Sequence, residues 1–363
     1  LEPHVVTVAP EPTGEGATVW TSTQATWYVR DSVASLLGCE NTAVRVVGTP
    51  PGGAFGGKFL LYEPLIALAA QQLGRPVRHV MTRYEEMVAA NPAPGTRVTV
   101  KAGARRDGKL TALEAELVVD NGCFPSSMAG LAGILLGSPY QCENQTIRAL
   151  EVLTHKPSVG AYRAPYAPQC AFALESVMDE LAERLELDPI DFRLTNASKP
   201  GDPMAVGGNW PSMGMREVLQ ALKEHPAWQE RDRARADGRG VGIAIGGWPG
   251  GTEPAAAACS LENDGTLQLR ISSVDLTGTN TGLAMLAAEA YGVEVDRVRI
   301  VTGDTSSGPF AGSTGGSKIL YTVGPAVIEA AEEARRQTLE LAAERFEADP
   351  ADLEIRDGKV QVK

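Results

Sequence analysis

Apolar residues recur at helical spacing at Val29, Val33, Leu36 and Leu37, stop at Gly38, and give way to the run Val44-Arg45-Val46-Val47. Spacing of three to four residues buries one face of a helix, a glycine supplies the left-handed residue that ends it, and a short β-branched run makes a strand. The same order returns later in the chain. Leu283, Ala287, Ala290 and Tyr291 take the helix positions, Gly292 the stop, and Val298-Arg299-Ile300-Val301 the strand, with Val298 placed 254 positions after Val44. The register holds across both elements, so the pattern predicts a repeated unit.

Each strand then enters a glycine loop and a second helix. The first loop reads Gly52-Gly53-Ala54-Phe55-Gly56-Gly57-Lys58, the second Gly312-Ser313-Thr314-Gly315-Gly316-Ser317-Lys318, and the lysines stand 260 positions apart. Between the two copies, alternating runs predict strands near 97–100 and 113–119. A helix follows in which Leu174, Val177, Met178, Leu181 and Leu185 share one face, leaving Glu175 and Asp179 as solvated or capping residues. Asp188-Pro189 and Asp349-Pro350 each read as an N-cap followed by a first-turn proline. Residues 196–214 are irregular, and a strand is expected at 241–245. The expected fold is α+β, two related lobes of mixed sheet and helices: a first lobe over 1–214, a linker helix over 215–239 and a second lobe over 240–363.

Composition narrows the function classes. With 363 residues, 43% of them hydrophobic, the chain can bury a full core, and its formal charge of -12 disfavours a nucleic-acid phosphate track. No apolar run approaches the roughly 20 residues that span a bilayer. No nucleic-acid or membrane partner is expected, and the expected location is cytoplasmic. Five cysteines with no CxxC pair argue against both a disulfide framework and an iron-sulfur site, and the four histidines form no HExxH helix. No protein-ligated metal is expected.

Glycines at 52, 53, 56 and 57 let the backbone approach a ligand without Cβ interference and turn several N–H groups toward one point. A helix beginning after Lys58 adds its dipole to that effect. The spacing is neither GxxxxGK[ST] nor GxGxxG. On chemistry alone, an anion or oxo site and a tight packing turn stand equal. The second loop adds hydroxyls at Ser313, Thr314 and Ser317, which suits a phosphate, although a capped helix start explains them as well. A third segment, Gly160-Ala161-Tyr162-Arg163-Ala164-Pro165-Tyr166-Ala167-Pro168-Gln169, offers one cation and two rings on a rigid turn.

These motifs together resemble a known family. Trp20-Thr21-Ser22-Thr23-Gln24, then GGAFGGK at 52–58, then GAYRAPYAPQ at 160–169 followed by ALESVMDELAERLELDPIDFRLTN at 173–196, look like the large subunit of molybdenum hydroxylases. That family includes xanthine dehydrogenase, aldehyde oxidoreductase and aerobic carbon monoxide dehydrogenase. The resemblance implies a molybdenum–molybdopterin cofactor held between the lobes, in its cytosine dinucleotide form. It implies that Gln24 hydrogen-bonds an oxygen ligand of the metal, and that Gly53, Ala54, Phe55, Gly56 and Gly57 face the metal or the pterin. Gln24 and Phe55 are then the residues nearest the chemistry. Arg163 would offer its backbone near the dithiolene. Asp275, Gly278 and Thr279, with Gly312, Ser313, Thr314, Gly315 and Ser317, would line the pterin and its phosphates. The implied activity is oxidative hydroxylation of an aldehyde or N-heterocycle, with oxygen from water and hydride passed to molybdenum.

Departures from the family pattern sharpen these expectations. Gly278 stands where a glutamine is usual, Ala164 where copper-containing carbon monoxide dehydrogenases carry cysteine, and Phe59 and Pro165 where xanthine enzymes carry glutamate and phenylalanine. Carbon monoxide oxidation and purine hydroxylation are therefore not expected. The family's Gly-x-Gly-Glu base segment is absent from the 363 residues. The chain is accordingly expected to be inactive alone, either as one half of a split subunit completed by a partner chain carrying that segment or as a truncated product, with an iron-sulfur subunit for [2Fe-2S] centres, an FAD subunit and a small-molecule substrate. A non-catalytic scaffold that keeps the lobes without turnover is the competing class.

Overall fold

The computed structural model describes residues 1–126, 128–356 and 358–363. The chain divides into two compact units, one formed by Leu1–Asn91 with Gly250–Lys363 and the other by Pro92–Pro249. The first unit opens with β1 (Val5–Pro10), β2 (Ala17–Thr21), α1 (Thr26–Leu37), β3 (Val44–Gly48), α2 (Glu63–Leu73), β4 (Val77–Val80) and α3 (Arg83–Ala89). Its sheet runs β3-β2-β1-β4, with β2 and β3 parallel and the other pairs antiparallel. α1 ends at Gly38, whose φ of 68° is the left-handed conformation that a Cβ disfavours. Val29 and Val33 of α1 pack on Val8, Val19 and Val46 of the sheet, so the periodicity marks the buried face.

The second unit contains β5 (Gly95–Ala104), β6 (Leu110–Gly122), α4 (Leu131–Gly137), β7 (Gln145–Leu153), α5 (Ala167–Arg184), α6 (Pro189–Asn196), α7 (Met215–Glu224), α8 (Pro226–Gln229) and α9 (Arg231–Ala236). Its sheet is β5-β6-β7, and Leu174 and Met178 of α5 join Leu117 and Val119 in its core. Asp188 caps α6 through the amides of Ile190 and Asp191. Three expectations change here. Glu175 is buried rather than solvated: its carboxylate accepts from Tyr140 Oη at 2.5 Å, Arg193 Nε at 2.8 Å and the Ile245 amide at 2.7 Å. The helix expected over 215–239 breaks into α7, α8 and α9, with Pro226 opening α8 because it cannot donate to the α7 ladder. Residues 241–245 form no strand, since a strand needs a neighbouring ladder and the Ile245 amide goes instead to Glu175.

The chain then returns to the first unit with β8 (Ala258–Leu261), β9 (Leu267–Arg270), α10 (Thr279–Tyr291), β10 (Val298–Val301), α11 (Ile319–Phe346), β11 (Leu353–Arg356) and β12 (Lys359–Val362). The sheet is β10-β9-β8, with β9 and β10 parallel and β8 antiparallel to β9. β8-β9-α10-β10 thus repeats the order and strand directions of β1-β2-α1-β3. A 3-10 turn precedes the third strand in each copy, at Asn41–Ala43 and Val295–Arg297. The fold is mixed α/β, and both copies of the repeat lie in one compact unit, so the spatial units cut across the division at 214 and 240. Asp349 caps only the 3-10 turn Pro350–Asp352, not a longer helix. Among the described residues no helix is long and apolar enough to cross a membrane.

Candidate cofactor-binding site

Gln24 follows β2, is 2% exposed, and ties together the two glycine loops of the first unit. Its Oε1 accepts from the amides of Gly56 at 3.1 Å and Lys58 at 3.4 Å, while Nε2 donates to Thr314 O at 2.8 Å. The backbone repeats the link: Gln24 N donates to Lys58 O and Thr314 N to Gln24 O, each at 2.8 Å. Thr314 Oγ1 donates to Val274 O and accepts from Val274 N, which joins the second loop to the segment before α10. A Cβ on Gly315 would lie 2.5 Å from Phe59 Cζ and 3.4 Å from Gln24 Nε2. A side chain at 315 would therefore have to displace the Phe59 ring.

The first loop turns through Gly53 (φ 145°), Phe55 (φ 49°) and Gly56 (φ 94°). Positive φ at a phenylalanine costs about 1–3 kcal/mol and persists only where the surroundings fix it; here the ring is 47% exposed. Gly57 N closes the turn onto Ala54 O, and Gly57 O accepts from His4 Nε2 at 2.9 Å. Ahead of α10, Asp275 Oδ1 takes the Thr279 hydroxyl and the Asn280 amide, fixing the helix start. Gly278 has φ 84°, and a Cβ there meets nothing within 4 Å, so backbone conformation rather than crowding favours glycine.

The structure thus brings Gln24, Gly56, Thr314 and Gly315 together, with Asp275–Thr279 joined through Val274. Arg163 belongs to the second unit, in the turn before α5 where Ala164 (φ 53°) and Tyr166 (φ 64°) are left-handed. Among the described residues, several buried polar atoms have no protein hydrogen-bond partner: Ser273 Oγ and Asn280 Oδ1 in the first unit, which flank 275–279, and Gln169 Oε1 in the second, which ends the third motif. Burying an unpaired polar atom costs free energy, so within the first unit the segment around 275–279 carries polar groups that its own protein neighbours leave unsatisfied.

The sequence reading missed a group of charged residues. Lys318, 2% exposed, lies 3.0 Å from Glu253 Oε2, and that carboxylate also accepts from Ser313 N at 2.7 Å and Tyr28 Oη at 2.7 Å. Burial raises the Glu253 pKa, but the Ser313 amide, the Tyr28 hydroxyl and Lys318 outweigh it and hold it below the usual carboxylate range. Lys58, also 2% exposed, pairs with Glu2 at 2.5 Å, and Glu2 accepts from the Gly52 amide at 3.1 Å. One signal was available: each glutamate precedes a proline, at Glu2-Pro3 and Glu253-Pro254.

Two glycine loops carried by a doubled strand–helix unit are thus tied together by one buried amide side chain. Two distinct molybdopterin cofactor-binding domain families match, one over residues 1–197 and the other over 219–363, and the chain belongs to this molybdopterin-binding family. It is 32% identical over 333 residues to the xanthine dehydrogenase molybdenum-binding subunit of Escherichia coli O157:H7, covering 86% of this chain and 44% of that protein. The aldehyde oxidoreductase molybdenum-binding subunit PaoC of Escherichia coli strain K12 is 29% identical over 376 residues, covering 99% of this chain and 49% of that one. Among solved structures, quinoline 2-oxidoreductase from Pseudomonas putida 86 superposes with a TM-score of 0.89 at 26% identity, covering 99% of this chain and 50% of that one. The chain spans about half the length of the curated relatives it matches.

Proposed function

We propose that the chain is the cofactor-seating part of an oxidative hydroxylase that acts on an aldehyde or an N-heterocycle. The observation that carries this reading is Gln24, whose buried side chain joins Gly56 of one glycine loop to Thr314 of the other. Ser273, Asn280 and Gln169, with their unpartnered buried oxygens, support it. When bound, the molybdopterin group supplies two-electron oxidation with oxygen drawn from water.

The chain's own residues bind and orient. Gly53, Ala54, Phe55, Gly56 and Gly57 present a turn whose glycines allow close backbone approach, and the exposed Phe55 ring offers an apolar wall beside it. Gln24 Nε2 carries a second hydrogen besides the one given to Thr314 O, and we assign that donor to the metal's oxygen ligand. Asp275, Gly278, Thr279, Gly312, Ser313, Thr314, Gly315 and Ser317 are assigned to the pterin and its phosphates, and Arg163 to the dithiolene side. The neutral donors that remain, such as the second hydrogen on Gln24 Nε2, favour an anionic ligand without protonating it.

The same reading gives the cofactor its cytosine dinucleotide form, places [2Fe-2S] and FAD on partner subunits, and takes the proton-removing glutamate from polypeptide outside these 363 residues, in the cytoplasm. It is tested by producing the chain with its partner subunits in a cofactor-making host. Molybdenum, pterin and acid-released cytosine nucleotide are measured, together with aldehyde and N-heterocycle oxidation using an artificial electron acceptor. Folded protein without molybdenum or pterin would overturn the reading.

A further inference from the structure

The repeat extends beyond the elements that the hydrophobic pattern revealed. Glu2 stands three positions before β1 and Glu253 five before β8, each followed by proline, which holds the preceding residue in an extended conformation. Each carboxylate reaches the glycine loop of its own copy and does the same two things there. Glu2 accepts from the loop amide of Gly52 and pairs with Lys58; Glu253 accepts from the loop amide of Ser313 and pairs with Lys318. Both lysines close their loops and are buried to the same extent. A Cβ on Gly312 would lie 2.3 Å from Glu253 Oε2, so glycine at the head of the second loop makes room for the carboxylate.

We propose that Glu2 and Glu253 are positioning residues, a matched pair of carboxylate clamps that fix the two glycine loops in the conformation that Gln24 then joins. The inference deepens the cofactor-seating reading and rests on it for its functional consequence. Each clamp uses the charge of its lysine inside the protein. Neither ammonium is therefore left as a bare cation toward an anionic ligand. A buried ammonium stripped of its carboxylate is strongly unfavourable, whereas removing both partners together is far less so. Lys318 shows its dependence on Glu253: Nζ pairs with that carboxylate at 3.0 Å and, among the described residues, has no hydrogen-bond acceptor.

The test uses the complete enzyme and four forms: wild type, Glu253→Gln, Lys318→Met and the double variant. Hydrogen exchange over residues 312–318 reports the clamp directly, with or without cofactor. In Glu253→Gln, exchange there should quicken by about ten- to a hundredfold, the range for a lost hydrogen bond to a charged group. Molybdenum and pterin content should fall with it, and Lys318→Met added to Glu253→Gln should restore both in large part. That rescue separates a charge clamp from general loosening, which a second substitution would worsen. Unchanged exchange in Glu253→Gln overturns the clamp; faster exchange with wild-type cofactor content overturns its positioning role; a double variant worse than either single overturns the charge pairing. Wild-type enzyme without cofactor would instead overturn the cofactor-seating reading, and the exchange measurements would still decide the clamp.

Discussion

Gln24 does with one side chain what would otherwise need several: it accepts from two amides of the first loop and donates to a carbonyl of the second. Gln24→Ala leaves those three buried groups without their partner, at about 1–3 kcal/mol for each. The variant should therefore lose stability in urea unfolding, and turnover of the complete enzyme should drop roughly ten- to a thousandfold, as for other lost oriented donors. Wild-type stability in Gln24→Ala would contradict the tie. Glu253 adds a pH dependence. Its carboxyl is held below the ordinary value of 4.5 in the folded protein, so its contribution is complete above that pH and is lost as pH falls through the lower folded value. Unfolding free energies of wild type and Glu253→Gln should differ at pH 7 and converge as acidification passes the lowered folded value; a difference that grows on acidification would refute this.

The loops depend on contacts between elements as much as on their own glycines. Gly315 lies against Phe59 and Gln24, with no room for a methyl group, and overpacking of that kind costs about 1–3 kcal/mol. Gly315→Ala should therefore destabilise the first unit, and Phe59→Leu should recover part of the loss by withdrawing the ring. Thermal melts of the two singles and the double check this, and additive losses would show that the ring is not the obstacle. Gly56 fails for a different reason. Its φ of 94° strains any β-branched residue, so Gly56→Val should lose cofactor without rescue at Phe59.

In the second unit the decisive interaction is a buried charge cluster. Arg193 is fully buried against Glu175, and Glu175 also holds Tyr140 and the Ile245 amide. Burial is also the first cause that raises the Tyr140 pKa, followed by the charge of Glu175. Arg193→Met alone strands the Glu175 carboxylate and should cost about 3–5 kcal/mol, while Arg193→Met with Glu175→Gln, which removes both charges and keeps an acceptor beside Tyr140 and the Ile245 amide, should cost less. Urea titrations of both variants decide it, and equal losses would mean that packing rather than charge sets the cost. The cluster anchors 239–249 to α5 and α6, which is why that segment keeps its place without a strand ladder.

The sequence by itself determined the kinds of element and their order. A helix stop at Gly38, the strand at 44–48 and their echo at Gly292 and 298–301 follow from spacing within a few residues, and such local rules act before distant chain is present. It also determined the two glycine loops and, through the motifs at 20–24, 52–58 and 160–169, the family. Tertiary structure alone decided that both copies of the repeat share one compact unit while residues 92–249 form another. It decided that Gln24 meets Thr314 across 290 positions, and that Glu175, read as solvated, turns inward to Arg193. It also assigned Glu2 and Glu253 to the lysines of their loops. The physical reason is common to all of these. The free energy of a buried charge or a loop-to-loop hydrogen bond depends on which groups arrive from far along the chain, and no local window of sequence contains them.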